Sequence, residues 1–143
     1  MFRQISDRVW ASPQITLDDV AAAAAQGFTL IINNRPEGES DDQTPGDAIA
    51  AAAAAAGLGY VAIPITHAGF SQTQVESMVD ALGQGEGRVL AYCRSGTRST
   101  LLWALAQASL GADLDAVSGQ AAAAGYDVSG VRPLMDMLAA SAK

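Results

Sequence analysis

Between Arg88 and Leu105 the chain reads RVLAYCRSGTRSTLLWAL, and this stretch restricts the possible folds more than any other. An apolar run, Val89-Leu90-Ala91-Tyr92, leads straight into the only cysteine, and the polar segment Cys93-Arg94-Ser95-Gly96-Thr97-Arg98 separates it from an apolar helical pattern that begins near Ser99. A strand, a tight loop and a helix N-terminus satisfy that order. The first amides of a helix have no partners within it, and the helix dipole adds partial positive charge at that end. A loop of this kind suits an anion, and two arginines within it strengthen the match.

Strand and helix signals alternate before this unit. Phe2 to Ser12 reads as a small hairpin with Ser6-Asp7 at its turn, closed by Pro13. Thr16 stands as an N-cap before Leu17-Asp18-Asp19-Val20, and the helix runs to Gly27. Phe28 to Asn33 is a β-branched, apolar run typical of a buried strand, followed by a polar loop from Asn34 to Gln43. Thr44 and Pro45 read as the cap and first residue of a second helix, which ends at Gly57. Gly59 to Ile65 reads as the next buried strand, and Thr66 to Phe70 is the loop at its C-terminal end. Ser71 caps a third helix whose Val75, Met78, Val79 and Leu82 recur at spacings of three and four. After the cysteine loop come the apolar helix ending at Leu110 and two more, Leu114 to Ala124 and Val131 to Ala140.

The fold expected from this order is α/β: one domain over residues 1–143, with a mainly parallel central sheet flanked by helices. Such sheets bind ligands where the strand C-termini open, so the loops Asn33 to Gln43, Thr66 to Phe70 and Cys93 to Arg98 should meet.

Bulk properties narrow the function classes. The formal net charge is −7, which argues against nucleic acid or an anionic membrane surface as the main partner. One cysteine excludes an internal disulfide, and one cysteine with one histidine cannot build an ordinary zinc site, so no metal or other cofactor is expected. The N-terminus MFRQISDRVW lacks an apolar signal-like core and the alanine tracts are too short to span a bilayer; a cytoplasmic location is the expectation.

Cys93 has what a thiolate nucleophile needs: loop amides and Arg98 to favour the anion, Gly96 to permit a tight backbone path, and a strand end that should expose the sulfur. The bland alternative, a small buried residue closing an apolar strand, does not account for Arg-Ser-Gly-Thr-Arg directly after it. Arg98 is expected to bind and orient an oxyanion, with Arg94 a second, more exposed cation. Ser95, Gly96 and Thr97 would contribute the cradle, and Ser99 would either hydrogen-bond the sulfur or cap the helix.

Tyr92 to Ser99, YCRSGTRS, resembles the active-site loop of rhodanese-type sulfurtransferases, in which the cysteine carries a persulfide. From Phe2 to about Leu105 the chain also resembles a bacterial family described both as sulfur transferases and as the phosphatase-like domain attached to beta-lactamase-like hydrolases. Gly27 to Arg35 and Tyr60 to Ile65 match the layout of that family. Its members are similar in fold to dual-specificity cysteine phosphatases, so the resemblance implies that fold here.

The two descriptions imply different reactions. Four residues, Arg94 to Thr97, separate Cys93 from Arg98, one fewer than in the loop of cysteine phosphatases. Phosphatases of this fold also supply an aspartate from the loop after the strand matching Tyr60 to Ile65, whereas this loop offers Thr66, His67 and Gly69. His67 is either an acid catalyst or an exposed loop residue. Arg35 either helps bind an anionic substrate or pairs with Glu37 or Glu39, and the acidic run Glu37 to Asp42 reads as a solvated loop.

The expectation drawn from the loop is a rhodanese-like sulfurtransferase, moving sulfane sulfur from thiosulfate or a persulfide through a Cys93 persulfide to a thiol or cyanide acceptor. Its partners would be a small anionic sulfur donor and a thiol acceptor, together with a partner enzyme of sulfide or persulfide metabolism. The alternatives are a phosphatase acting through a Cys93 phosphoryl intermediate, and a non-catalytic anion- or persulfide-binding module.

Overall fold

In the computed structural model, which describes residues 2–142, the chain forms β1 (Arg3–Gln4), β2 (Val9–Ser12), α1 (Leu17–Ala25), β3 (Phe28–Asn33), α2 (Gly46–Ala55), β4 (Gly59–Ala62), α3 (Gln72–Leu82), β5 (Arg88–Tyr92), α4 (Thr97–Ser109), α5 (Leu114–Ala123), a 3-10 turn and α6 (Arg132–Ser141). The strands lie in the order β1-β2-β5-β3-β4. Only β1 is antiparallel, paired with β2 as a hairpin; β2, β5, β3 and β4 run parallel. This is the α/β fold expected from the alternation of elements.

Alternation along each strand divides the core between two faces. On β5, Leu90 and Tyr92 point to the side covered by α1 and α2, where Val20, Ala23, Ile49 and Ala53 are buried. Val89 and Ala91 point to the side where α3 to α6 pack. On β3, Phe28 and Ile31 belong to the first side, Leu30 and Ile32 to the second. Phe28 and Leu30 have the same parity, and a bulge sends them opposite ways: Phe28 pairs with Arg88 and Leu30 with the next residue, Val89.

Helix α4 runs through the middle of its layer. Ser99, Thr100, Leu102 to Ala106 and Ala108 are all buried, so it is apolar on nearly every side. It begins at Thr97, two residues before the expected Ser99. The local caps at Thr16 and Ser71 both form capping boxes, with Asp19 and Gln74 as the reciprocal partners.

Two local expectations fail. Thr44 does not cap α2: Pro45 is itself the N-cap, and the Gly46 N–H donates to Glu37 Oε1 at 2.9 Å. Strand β4 is a partly exposed edge strand ending at Ala62, not a buried strand to Ile65. Pro64 has no N–H to continue a ladder, while Ile63 and Ile65 still reach back through amide bonds to Asn33 O and Asn34 O at 2.9 and 3.0 Å. Among the described residues no helix is long and apolar enough to cross a membrane.

Candidate active site

Cys93 follows the last residue of β5, and its amide donates to Ser12 O at 3.3 Å. The next residues turn back over it. Gly96, at φ 92°, takes a backbone conformation open to glycine at little cost, and its N–H donates to Cys93 Sγ at 3.1 Å. Gly96 is also the N-cap of α4, with its carbonyl accepting from the amide and hydroxyl of Thr100. Folding the loop back in this way buries Cys93 completely, contrary to the exposed sulfur expected at a strand end. Ser95 and Thr97 stay outside, bonded to each other through their hydroxyls at 3.0 Å.

Arg98 leaves the first turn of α4 towards the loop after β3. Its Nη1 donates to Glu39 Oε2 and to Ile65 O, both at 2.8 Å, and its Nη2 donates to Glu39 Oε1 at 2.8 Å. The Glu39 carboxylate, and to a lesser degree the nearby Cys93 sulfur, hold the guanidinium more firmly charged than usual, against its partial burial. All three loops at the strand C-termini are therefore joined by one side chain, the convergence that the topology implied.

Arg35 stands behind Glu39 and not in the substrate space. It is only 4% exposed, with Nε on Glu39 Oε1 at 2.9 Å, Nη1 on Gln14 Oε1 at 2.9 Å and Nη2 on Ser40 Oγ at 3.1 Å. Of the two readings of Arg35, ion pairing is the one seen, in a buried position. The acidic run is correspondingly no plain solvated loop. Glu39 accepts from two arginines, Glu37 caps α2, and Asp42 accepts from Ser40 Oγ at 2.6 Å. The Arg98 hydrogen bonds, opposed by burial and aided by Arg35, bring the Glu39 carboxyl down to about 2.

Ser99 neither touches the sulfur nor caps α4. Its hydroxyl donates to Asn34 Oδ1 at 2.8 Å, Asn34 Nδ2 donates to Ile63 O at 2.9 Å, and the Asn34 N–H donates to Tyr92 O at 2.8 Å, so a fully buried asparagine joins the ends of β3, β4 and β5 to the start of α4. Arg94 and His67 are both exposed, as the loop reading allowed, and they line a pocket of about 530 Å³ with Pro36, Glu39, Thr66 and Arg98. A second cavity of about 550 Å³ lies at the α5–α6 connection, away from the cysteine loop's open side. Tyr126, one of its linings, is buried against the back of the loop, its hydroxyl 3.4 Å from Ser95 O. Asn34, Gln14 and Tyr126 are site residues that the sequence reading did not single out, and Glu39 was named only as a possible partner for Arg35. Only Glu39 carried a local signal, four residues after Arg35. Among the described residues, no three His, Cys, Asp or Glu side chains group as metal ligands.

This arrangement holds a sulfur beneath a loop, without exposed surface in this conformation, and an oriented guanidinium beside it; once the loop uncovers the sulfur, the two are the equipment for attack on an anionic sulfur or phosphorus centre. Known proteins with similar chains lean to phosphorus. A crystal structure from Neisseria meningitidis Z2491, described as a candidate phosphatase, superposes with a TM-score of 0.82 at 34% identity, covering 95% of this chain and 96% of the other. The active form of Tk-PTP shares the fold at 17% identity, with a TM-score of 0.70 and coverage of 97% and 96%. None of these is described as a sulfurtransferase. Beta-lactamase hydrolase-like proteins of Xylella fastidiosa (strain Temecula1) and Agrobacterium fabrum are 37% and 33% identical over 72% and 73% of this chain. The matched part is about a quarter, 24%, of those relatives' length. Residues 1–110 match the family model described as "Beta-lactamase hydrolase-like protein, phosphatase-like domain", and with strand, loop and pocket arranged as above the chain belongs to that family.

Proposed function

We propose that the chain is a cysteine-dependent phosphatase acting on phosphate monoesters. The observation that carries this reading is membership of the phosphatase-like family, joined to a 34% identical structure described as a candidate phosphatase over nearly its whole length. Cys93 Sγ attacks phosphorus, the bond to the ester oxygen breaks, and a Cys93 phosphoryl intermediate forms. Water then attacks phosphorus, releasing inorganic phosphate and restoring the thiolate. Loop amides and Arg98 bind the equatorial oxygens throughout.

The departing oxygen needs a proton when it leaves as an alkoxide. Glu39 cannot give one, because its carboxyl is held ionised. His67, in the same pocket, takes that role and recovers the proton from the attacking water. A phenolate leaves without much help. Cys93-dependent hydrolysis of p-nitrophenyl phosphate is therefore the test, with Cys93→Ser as the inactive control. His67→Asn should slow alkyl phosphates by ~10-fold or more and aryl phosphates far less.

The four-residue spacing from Cys93 to Arg98 favours the second reading, transfer of sulfane sulfur through a Cys93 persulfide. The same preparation assayed with thiosulfate and cyanide separates the two. Thiocyanate formation that needs Cys93, without phosphate release, would reverse the order.

A further inference from the structure

The peptide between Ser95 and Gly96 lies in the middle of the cysteine loop and is held from both sides. Its N–H, on Gly96, donates inward to Cys93 Sγ at 3.1 Å. Its carbonyl, on Ser95, points the opposite way, as a trans peptide requires, and accepts from the Tyr126 hydroxyl at 3.4 Å. Little in the backbone itself fixes that orientation. Turning the plane over changes mainly the ψ of Ser95 and the φ of Gly96, now 92°, and glycine takes φ of either sign at similar cost. The turned-over plane would aim a carbonyl oxygen, the negative end of the peptide dipole, at the sulfur and at any anion above it. The choice is therefore left to the two partners, and only one of them lasts through a reaction. A sulfur bonded to phosphorus or to a second sulfur is no longer an anionic acceptor.

Tyr126 is itself firmly placed. Helix α5 ends in a full Schellman turn: Gly125, at φ 95°, donates its N–H to Ala122 O at 2.9 Å, and Tyr126 donates its own to Ala121 O at 2.9 Å. The ring beyond the turn lies against the back of the loop, and the residue is 7% exposed. Arg3, whose guanidinium lies 5.5 Å from the ring centroid, donates Nη1 to Ala124 O at 3.2 Å and so ties the same turn to the hairpin. A Cβ at position 96 would strike the hydroxyl, which leaves no slack between ring and loop. Tyr126 also comes after residue 110, where the family match ends.

We infer that Tyr126 is a positioning residue for the cysteine loop: its hydroxyl keeps the Ser95–Gly96 peptide turned so that the N–H faces Cys93 Sγ and the oxyanion that the loop binds. This deepens the proposed function and rests on its assignment of the loop amides as anion donors, and it does not depend on turnover. At 3.4 Å the bond is long for a hydroxyl donor, so its loss is expected to weaken anion binding several-fold and not to abolish it.

Two measurements test this. Calorimetric titration with sodium tungstate, a tetrahedral dianion, in the Cys93→Ser protein should show binding ~5-fold weaker once Tyr126→Phe is added, about the worth of one hydrogen bond. Tyr126→Leu, which gives up the ring as well, should weaken binding by no more than ~2-fold further. In the protein that keeps Cys93, nuclear magnetic resonance should show the Gly96 amide proton moving upfield in Tyr126→Phe, as its bond to sulfur is lost for part of the time, while the amides of Leu102 to Ala106 in α4 stay in place. A general loosening of the fold would move both. Equal or tighter tungstate binding in Tyr126→Phe, weakening in Tyr126→Leu alone, an unmoved Gly96 resonance, or no tungstate binding by the parent would each overturn the inference. If both expected results are seen while p-nitrophenyl phosphate is not hydrolysed by the Cys93 protein, the phosphatase reading fails and the role of Tyr126 stands.

Discussion

At Gly96 two demands meet on one residue: a positive φ and a surface with no room for a side chain. A Cβ there would collide with the Tyr126 hydroxyl and press on the Ser12 carbonyl carbon. Gly96→Ala should lower stability by about 2 kcal/mol, from the left-handed backbone and the overlap together. Adding Tyr126→Phe removes the colliding oxygen. In thermal melts the double variant should be less destabilised than the sum of the singles, and equal sums would show that backbone strain alone sets the cost. Glu39 makes the second residue-scale prediction. Its carboxyl titrates near 2 in the folded chain against an ordinary 4.5, so it contributes stability that is complete above about pH 4.5 and fades as pH falls towards 2. Glu39→Gln should destabilise the protein at pH 7 by about 2 kcal/mol and flatten stability against pH between 4.5 and 2, as read by urea unfolding at several pH values. Unchanged slopes would mean that other carboxylates govern acid unfolding. The cysteine and both loop arginines were legible because they lie within one six-residue segment, Cys93 to Arg98. Asn34 and Tyr126 were not, because what makes each matter is a contact with a segment far along the chain.

The elements show the same division between local and distant causes. Thr16 and Ser71 were readable as caps because a capping box is complete within four residues. Thr44-Pro45 has the same local look, yet α2 takes its cap from Glu37, nine residues before Gly46 and across the loop. An exposed carboxylate at a helix N-terminus also favours the dipole. Glu37→Ala should cost about 1 kcal/mol, whereas Thr44→Ala should cost almost nothing. A larger loss at Thr44 in denaturant titrations would restore the local cap. The length of β4 was overread for a related reason. Ile63 and Ile65 are buried, as an apolar alternation leads one to expect, but Pro64 interrupts the ladder and the sheet order puts the strand at an edge. Order across a sheet is set by how faces pack, and no single strand carries it.

Over the whole molecule, the family match stops at residue 110 while the packing does not. Helix α4, the support of the cysteine loop, is covered on its outer side by residues that come later: Val117 and Ala121 from α5, Tyr126 and Val128 from the connection, and Met135 from α6, all nearly or fully buried in the same cluster. Tyr126 also touches the loop itself, through Ser95 O and the space against Gly96. Burying each large apolar side chain contributes about 2 kcal/mol before the entropy of ordering the segment is counted, and removing the segment also exposes the apolar outer side of α4 that it covers. A chain cut after Leu110 should therefore lose its cooperative thermal transition and bind apolar dyes. Met135→Ala, a milder probe of the same contact, should cost about 3 kcal/mol while leaving the fold intact. A truncated chain that melts cooperatively near the temperature of the full one would show instead that the sheet with α1 to α4 is self-sufficient, and that α5 and α6 serve the loop alone. Tungstate titration of such a fragment would then measure what Tyr126 contributes to holding Cys93 to Arg98 in shape.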